Sequence, residues 1–226
     1  MKLICFDFDN VIIDGNPVFK LLKKKKNYRK IFRTMIKHYD PNNFAWFVNK
    51  AVRDAKGMRF GLVRNTVLDT RLMVGVRKTF EKLRDNGFTI VVMSTNDVGI
   101  MKEYLEKHKL TDFVDEVYGT KLGVRNGILT GRISGKTLKT EKVGVLADIS
   151  KKYGASRRSI IFVGDGLTDF PLMEKVGRSV LFCPNFITRH KFKKNKILRE
   201  KKRKGQLNVI KKKDIRKILR FVLSWS

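Results

Sequence analysis

The chain has 226 residues, 42% of them hydrophobic, so it can bury one full core with room for an inserted subdomain, and disorder is excluded as its default state. Its formal net charge of +30 forecasts attraction to polyanions such as nucleic acid, nucleotides or acidic membrane surfaces, and says nothing about fold. Two cysteines give no metal-site spacing, no apolar run approaches the length of a membrane span, and Asp7 comes too early for a secretory leader, so a reducing cytoplasm is the expected location.

Residues 2 to 6 form a short apolar run that predicts a buried strand, closed by Asp7-Phe8-Asp9-Asn10-Val11 and a polar turn at Asp14-Gly15. The next stretch changes character. Residues 15 to 60 carry 13 Lys/Arg against Asp40 and Asp54, including Lys23 to Lys26, and contain the aromatic run Phe44-Ala45-Trp46-Phe47. Apolar spacing at Ile31, Phe32, Met35 and Ile36, and again at Phe44, Phe47, Val48 and Val52, predicts helices separated at Pro41. This is the pattern of a helical insertion.

From residue 74 a regular alternation begins: helix 74–86, strand 88–93, helix 97–109, strand 113–118, then a hairpin at Asn126-Gly127 between runs ending at Val124 and starting at Ile128. Helix 139–153, strand 159–163, a helix from Thr168 and strand 179–183 follow. Cys5 and Cys183 both fall inside predicted buried strands, where cysteine acts as a small hydrophobe. Residues 189–204 hold ten Lys/Arg and one acid with hardly any periodic apolar face, which predicts a solvated loop or a basic helix. Leu207, Val209 and Ile210 restore a strand pattern, and Ile215, Ile218, Leu219 and Val222 a closing helix.

Alternating strands and helices predict an α/β fold, a Rossmann-like parallel sheet with helices on both faces. Ligands in such sheets bind beyond the carboxyl ends of the strands, and Asp7, Asp9, Ser94, Asp165 and Asp169 all fall there. Asp7 and Asp9, two residues apart, face one side, so one can attack while the other handles a proton. Four carboxylates (Asp7, Asp9, Asp165, Asp169) at the ends of buried strands need a partner, because unpaired buried anions cost several kcal/mol. The economical partner is a divalent metal; Mg²⁺ contacted by Asp7 and Asp165 would also neutralise an incoming phosphate. Ser94 and Thr95 offer hydroxyls and backbone N–H groups for an anion, or a helix N-cap.

Taken in order, Asp7-x-Asp9, Ser94, Lys142 and Gly164-Asp165-Gly166-x-x-Asp169 resemble the four motifs of the haloacid dehalogenase superfamily, with the strongest likeness to phosphoserine phosphatases and related small-molecule phosphatases. Asp85-Asn86-Gly87-Phe88, Asn126 to Gly131, Lys142 to Leu146 and Phe162 to Gly166 carry it further, and it covers residues 1–14, 74–186 and 207–221. The resemblance implies a core of residues 1–14 and 74–226 with a helical cap at 15–73 and a basic insertion at 187–206. It also implies a phosphomonoester hydrolase in which Asp7 forms an aspartyl-phosphate and Asp9 serves as acid and then base. Ser94, with Thr95, and Lys142 would hold the phosphoryl oxygens, while Asp165 with Asp169 would organise Mg²⁺. The acidic residue with which phosphoserine phosphatases meet the substrate amine would fall near Asn16, with Asp14 the nearest carboxylate; Val11 and Thr168 replace the usual Thr and Asn.

The expected substrate is a small phosphorylated metabolite, phosphoserine-like by default. The basic segments 20–37 and 189–204 leave two alternatives: a phosphatase acting on nucleotides or nucleic-acid ends, and a basic nucleic-acid-binding protein on the same fold without turnover.

Overall fold

A computed structural model describes residues 1–17, 20–21, 44–139 and 141–224. Seven strands form one sheet: β1 (Lys2–Phe6), β2 (Phe88–Asp97), β3 (Glu116–Arg125), β4 (Ile128–Ser134), β5 (Ile160–Gly164), β6 (Arg178–Phe182) and β7 (Leu207–Ile210), in the order β4-β3-β2-β1-β5-β6-β7. All neighbours run parallel except β3 and β4. The expected α/β class is therefore the observed one.

The sheet is buried on both faces, which is why β1 and β5 read as continuous apolar runs. Alternate residues enter two separate cores: Ile4, Phe6, Ile90, Val92 and Val163 on one face, Leu3, Cys5, Val91, Met93 and Phe162 on the other. On the first face the Phe6 ring meets Phe80 at 5.1 Å, and the buried Tyr104 hydroxyl donates to the Thr70 carbonyl at 2.9 Å.

Helices α1 (Phe44–Asp54) and α2 (Phe60–Leu68) precede the alternating part; α3 (Val76–Asp85) and α4 (Val98–Lys107) follow β1 and β2 in the crossover pattern. The predicted helix through Ile31 to Ile36, the lysine run 23–26 and most of the 20–37 segment lie outside the described residues. The link between α1 and α2 pairs with the β3–β4 hairpin: Gly57 donates to the Leu129 carbonyl at 3.0 Å, and Leu129 donates to that of Met58 at 2.9 Å. At the hairpin tip Asn126 and Gly127 have φ of 49° and 73°, the pair of left-handed residues that a tight two-residue turn requires.

Beyond the hairpin come α5 (Lys136–Lys139), α6 (Glu141–Lys152) and α7 (Phe170–Lys175), and the crossover from β6 to β7 is a pair of helices, α8 (Phe186–Lys194) and α9 (Lys196–Arg203). These last two replace the expected loop or single basic helix at 189–204. They are anchored by a few buried side chains too sparse to show as periodicity: Phe192, Leu198, and Lys201, whose amine donates to the Val176 carbonyl. Asn195 joins them, accepting from Leu198 N–H at 2.9 Å and donating to Glu174 at 2.8 Å. A short 3-10 turn and α10 (Leu219–Leu223) close the fold.

Two expectations are corrected. Cys183 lies one residue beyond β6, half-buried, with φ of 43°, because the chain turns there to leave the sheet. Strand β2 runs to Asp97 rather than stopping at Met93, and Asp97 is the N-cap of α4, accepting from Gly99 and Ile100 N–H groups at 2.9 and 3.3 Å. Neither Ser94 nor Thr95 caps that helix.

If the basic crossover is an integral layer, Leu198→Ala should lower stability by about 2–5 kcal/mol in urea denaturation, as for other buried leucines. Replacing its exposed neighbour Ile197 should change stability by less than about 0.5 kcal/mol.

Candidate active site

Strand order places the site. From β1 the sheet grows through β2 to β4 on one side and through β5 to β7 on the other, so the switch point lies at the carboxyl end of β1. Phe6 pairs with Val163, and Asp7 N–H donates to the Val163 carbonyl at 2.8 Å, extending the ladder by one residue. Asp7, directly after β1, therefore stands beside the Gly164-Asp165 turn after β5.

Asp7, Asp165 and Asp169 each offer one carboxylate oxygen, and these atoms lie within 4.8 Å of one another. Asp169 is fully buried and is brought in by the turn Gly166-Leu167-Thr168-Asp169, in which Gly166 N–H donates to its Oδ2 at 3.1 Å. Gly164 is needed for this approach, since a Cβ there would collide with the Asp169 carboxylate and the Phe162 ring. Asp9 is not one of these three; its Oδ1 accepts from Asn96 Nδ2 at 2.9 Å.

Lys142, from the first turn of α6, is buried between two of the acids. Its Nζ stands 2.9 Å from Asp7 Oδ1 and 2.7 Å from Asp169 Oδ1, and 5.9 Å above the Phe162 ring. Burial opposes its charge, but Asp169 and Asp7 outweigh burial and hold its pKa above the ordinary lysine value. The carboxylates respond differently. Burial pushes Asp7 up to about 6, opposed by Lys142 and helped by Asp169. Burial and then the Asp7 charge push Asp9 up to about 8, and burial followed by Asp169 and Asp7 raises Asp165 well above its usual range.

Ser94 is buried at the start of an irregular stretch of β2, where pairing with β3 shifts between Met93 and Asp97. Its Oγ accepts from Asn96 N–H at 3.3 Å. Thr95 is half-buried; its carbonyl accepts from the Thr120 hydroxyl at 2.8 Å, which fixes the bulged segment. The structure thus gathers Asp7, Lys142, Asp165 and Asp169 into direct contact or near contact and links Asp9 and Ser94 through Asn96.

Three supporting residues were not singled out from the sequence. Asn96 had a signal, since it stands two residues from Ser94 on the same strand face. Asn10, with φ of 56°, donates from Nδ2 to Asp165 Oδ2 at 3.0 Å, and its signal was an asparagine, the side chain most tolerant of left-handed backbone, right after Asp9. Thr120 had none, because its role depends on β3 register.

Three carboxylate oxygens gathered around a single buried ammonium form a hard, oxygen-only donor set with more negative charge than Lys142 offsets, which fits a divalent cation of the magnesium kind. These acids, the buried lysine and the glycine-tight acidic turn stand together at the switch point of a mostly parallel sheet. Comparison with known proteins then places the chain: the family model "haloacid dehalogenase-like hydrolase" matches residues 4–174, and the chain belongs to that family. The phosphoserine phosphatase of Methanocaldococcus jannaschii is 26% identical, covering 98% of this chain and 97% of that protein, and the phosphoserine phosphatase of Wolinella succinogenes is 26% identical, covering 97% and 98%. A solved phospho-aspartyl intermediate analogue of phosphoserine phosphatase superposes with a TM-score of 0.76 at 26% identity over 97% of this chain and 98% of that one. The chain is a phosphoserine phosphatase-like phosphatase, a phosphoric monoester hydrolase. Among the described residues no helix is long and apolar enough to cross a membrane.

The raised carboxylates set a pH test. A raised folded pKa means the folded state binds protons more tightly, so the stability Asp7 and Asp9 contribute is complete below the ordinary aspartate range and is lost as pH rises through about 6 and about 8. Added Mg²⁺ should therefore raise the melting temperature of EDTA-treated protein more at about pH 8.5 than at about pH 5.5. Equal shifts at both pH values would contradict the charge account.

Proposed function

We propose that the chain is a Mg²⁺-dependent phosphomonoester hydrolase that works through an aspartyl-phosphate on Asp7. The observation that carries this reading is the position of the Asp7 carboxylate, at a strand end and held at 2.9 Å by Lys142, with the Asp165 and Asp169 carboxylates beside it. Asp7, Asp165 and Asp169 would hold the ion, which when bound offsets the negative charge of the carboxylates and of the phosphoryl group.

Each step then uses a group of this chain. A carboxylate oxygen of Asp7 attacks phosphorus while the P–O bond to the leaving group breaks, and Asp9 gives its proton to the departing oxygen. Burial raises the Asp9 pKa and so favours the protonated form that an acid needs, and the Asn96 amide orients its carboxyl group. Asp9, now a carboxylate, takes a proton from water as that water attacks phosphorus; phosphate leaves and Asp7 is restored. Lys142 and Ser94, with Thr95 at the edge, bind the phosphoryl oxygens, and Asn10 and Gly164 keep Asp165 and Asp169 in position.

The substrate is a small phosphorylated metabolite, with phosphoserine the default supported by the relatives. We assign residues 15–73 to a cap and residues 1–14 and 74–226 to the core, with 187–206 a basic addition to that core, and the enzyme to the cytoplasm. The relatives lend no support to a nucleotide, a nucleic-acid end or a nucleic-acid partner.

Purified protein should release phosphate from p-nitrophenyl phosphate only with Mg²⁺. Asp7→Asn should remove at least about three orders of magnitude of kcat, and Asp9→Asn about two to four. Full activity in Asp7→Asn would overturn the reading.

A further inference from the structure

The loop that follows Asp9 folds back against the site. Asn10 N–H donates to the Gly15 carbonyl at 3.1 Å while its side chain holds Asp165, so Gly15 and its neighbour Asp14 sit on the rim next to Asp165. Across the rim comes the segment after β7: Cys183 N–H donates to the Ile210 carbonyl at 2.7 Å, and three residues on, Lys213 Nζ reaches Asp14 Oδ1 at 2.6 Å. The Lys213–Asp14 pair is thereby joined, through the turn that Asn10 closes onto Gly15, to the side of the site where Asn10 holds Asp165.

Among the described residues these rim segments carry more lysine and arginine than carboxylate. Lys20 Nζ lies 3.4 Å from where a Gly15 Cβ would stand, so a second ammonium flanks the same turn. The two carboxylates of these rim segments, Asp14 and Asp214, are both paired, Asp214 with Arg216 at 2.7 Å. An ammonium group on a substrate would meet an Asp14 carboxylate already held by Lys213 and 33% exposed, whereas an anionic group would meet Lys20 and a Lys213 that is 64% exposed along its side chain and keeps donors beyond the one Asp14 accepts.

We infer that Lys213 and Lys20 form a specificity rim that favours phosphate monoesters carrying a second anionic group, a carboxylate or a second phosphate, over those carrying only an ammonium group. This rests on the phosphatase reading above and refines it: a phosphoserine-like substrate would be gripped through its carboxylate by the core, at Lys213, and its amine would contribute little. Ion pairing at a solvent-exposed rim supports discrimination of roughly tenfold, screened by salt.

The test compares kcat/KM for phosphoglycolate, a short alkyl bisphosphate and phosphoethanolamine at low ionic strength, with p-nitrophenyl phosphate establishing phosphatase activity. The native protein should prefer at least one of the two anionic esters to phosphoethanolamine by roughly tenfold or more, and which of them it prefers identifies the anion. In Lys213→Ala that ratio should fall about tenfold, Lys213→Arg should keep it, and Asp14→Asn, which frees Lys213, should raise it. A ratio within twofold of the native one in Lys213→Ala, or a native preference for phosphoethanolamine, overturns the inference while leaving the phosphatase reading intact. Absence of hydrolysis of all four esters by folded, Mg²⁺-loaded protein overturns both.

Discussion

Everything in this structure turns on the crowding of carboxylates around one buried ammonium at the switch point of the sheet. Lys142 touches Asp7 and Asp169 at once, and Asp165 stands within 4.8 Å of both. Each like-charge pair at such spacing costs about 4 kcal/mol at the effective dielectric of a protein surface, and one lysine cannot offset them all. The arrangement is stable only with protons or a cation supplied from outside. That same deficit of positive charge suits a site meant to hold a metal ion and receive a phosphate.

The scaffold that imposes this crowding is simple. A sheet covered on both faces leaves its ligand site beyond the carboxyl ends of its parallel strands, and the central strand β1 ends beside its neighbour β5. Asp7 is tied into the β1–β5 ladder by its backbone, Asp169 is folded in by the Gly166 turn, and Lys142 descends from a helix start. The outer layer then tunes the inner one: Asn96 holds one oxygen of Asp9, and Asn10 couples Asp165 to the rim loop that carries Asp14.

Much of this was legible in the sequence because the signals were local. Asp7, Asp9, Asp165 and Asp169 close apolar runs, and Asn126-Gly127 marks its hairpin unaided. What was not legible depended on long-range register or on sparse anchors. Ser94 and Thr95 resemble an N-cap until the β2–β3 irregularity carries the strand to Asp97. Cys183 reads as strand until the left-handed turn at the end of β6 is seen, and the basic 189–204 stretch shows no apolar face because Phe192, Leu198 and the buried end of Lys201 suffice to seat it. Thr120 supports Thr95 from a strand whose alignment no local pattern specifies. The Lys213–Asp14 pair joins residues 199 positions apart, so its place beside the site emerges only from the fold.

The central claim is that Asp7 itself carries the phosphoryl group. The most direct measurement is rapid acid quenching of the Asp9→Asn variant during turnover of p-nitrophenyl phosphate, whose good leaving group lets the first step proceed while loss of the base delays the second, followed by peptide mapping by mass spectrometry. The account predicts a hydroxylamine-labile phosphoryl group on the peptide containing Asp7, more abundant than in the native protein. Continued turnover with no phosphorylated Asp7, or a phosphoryl group on a different side chain, would contradict it.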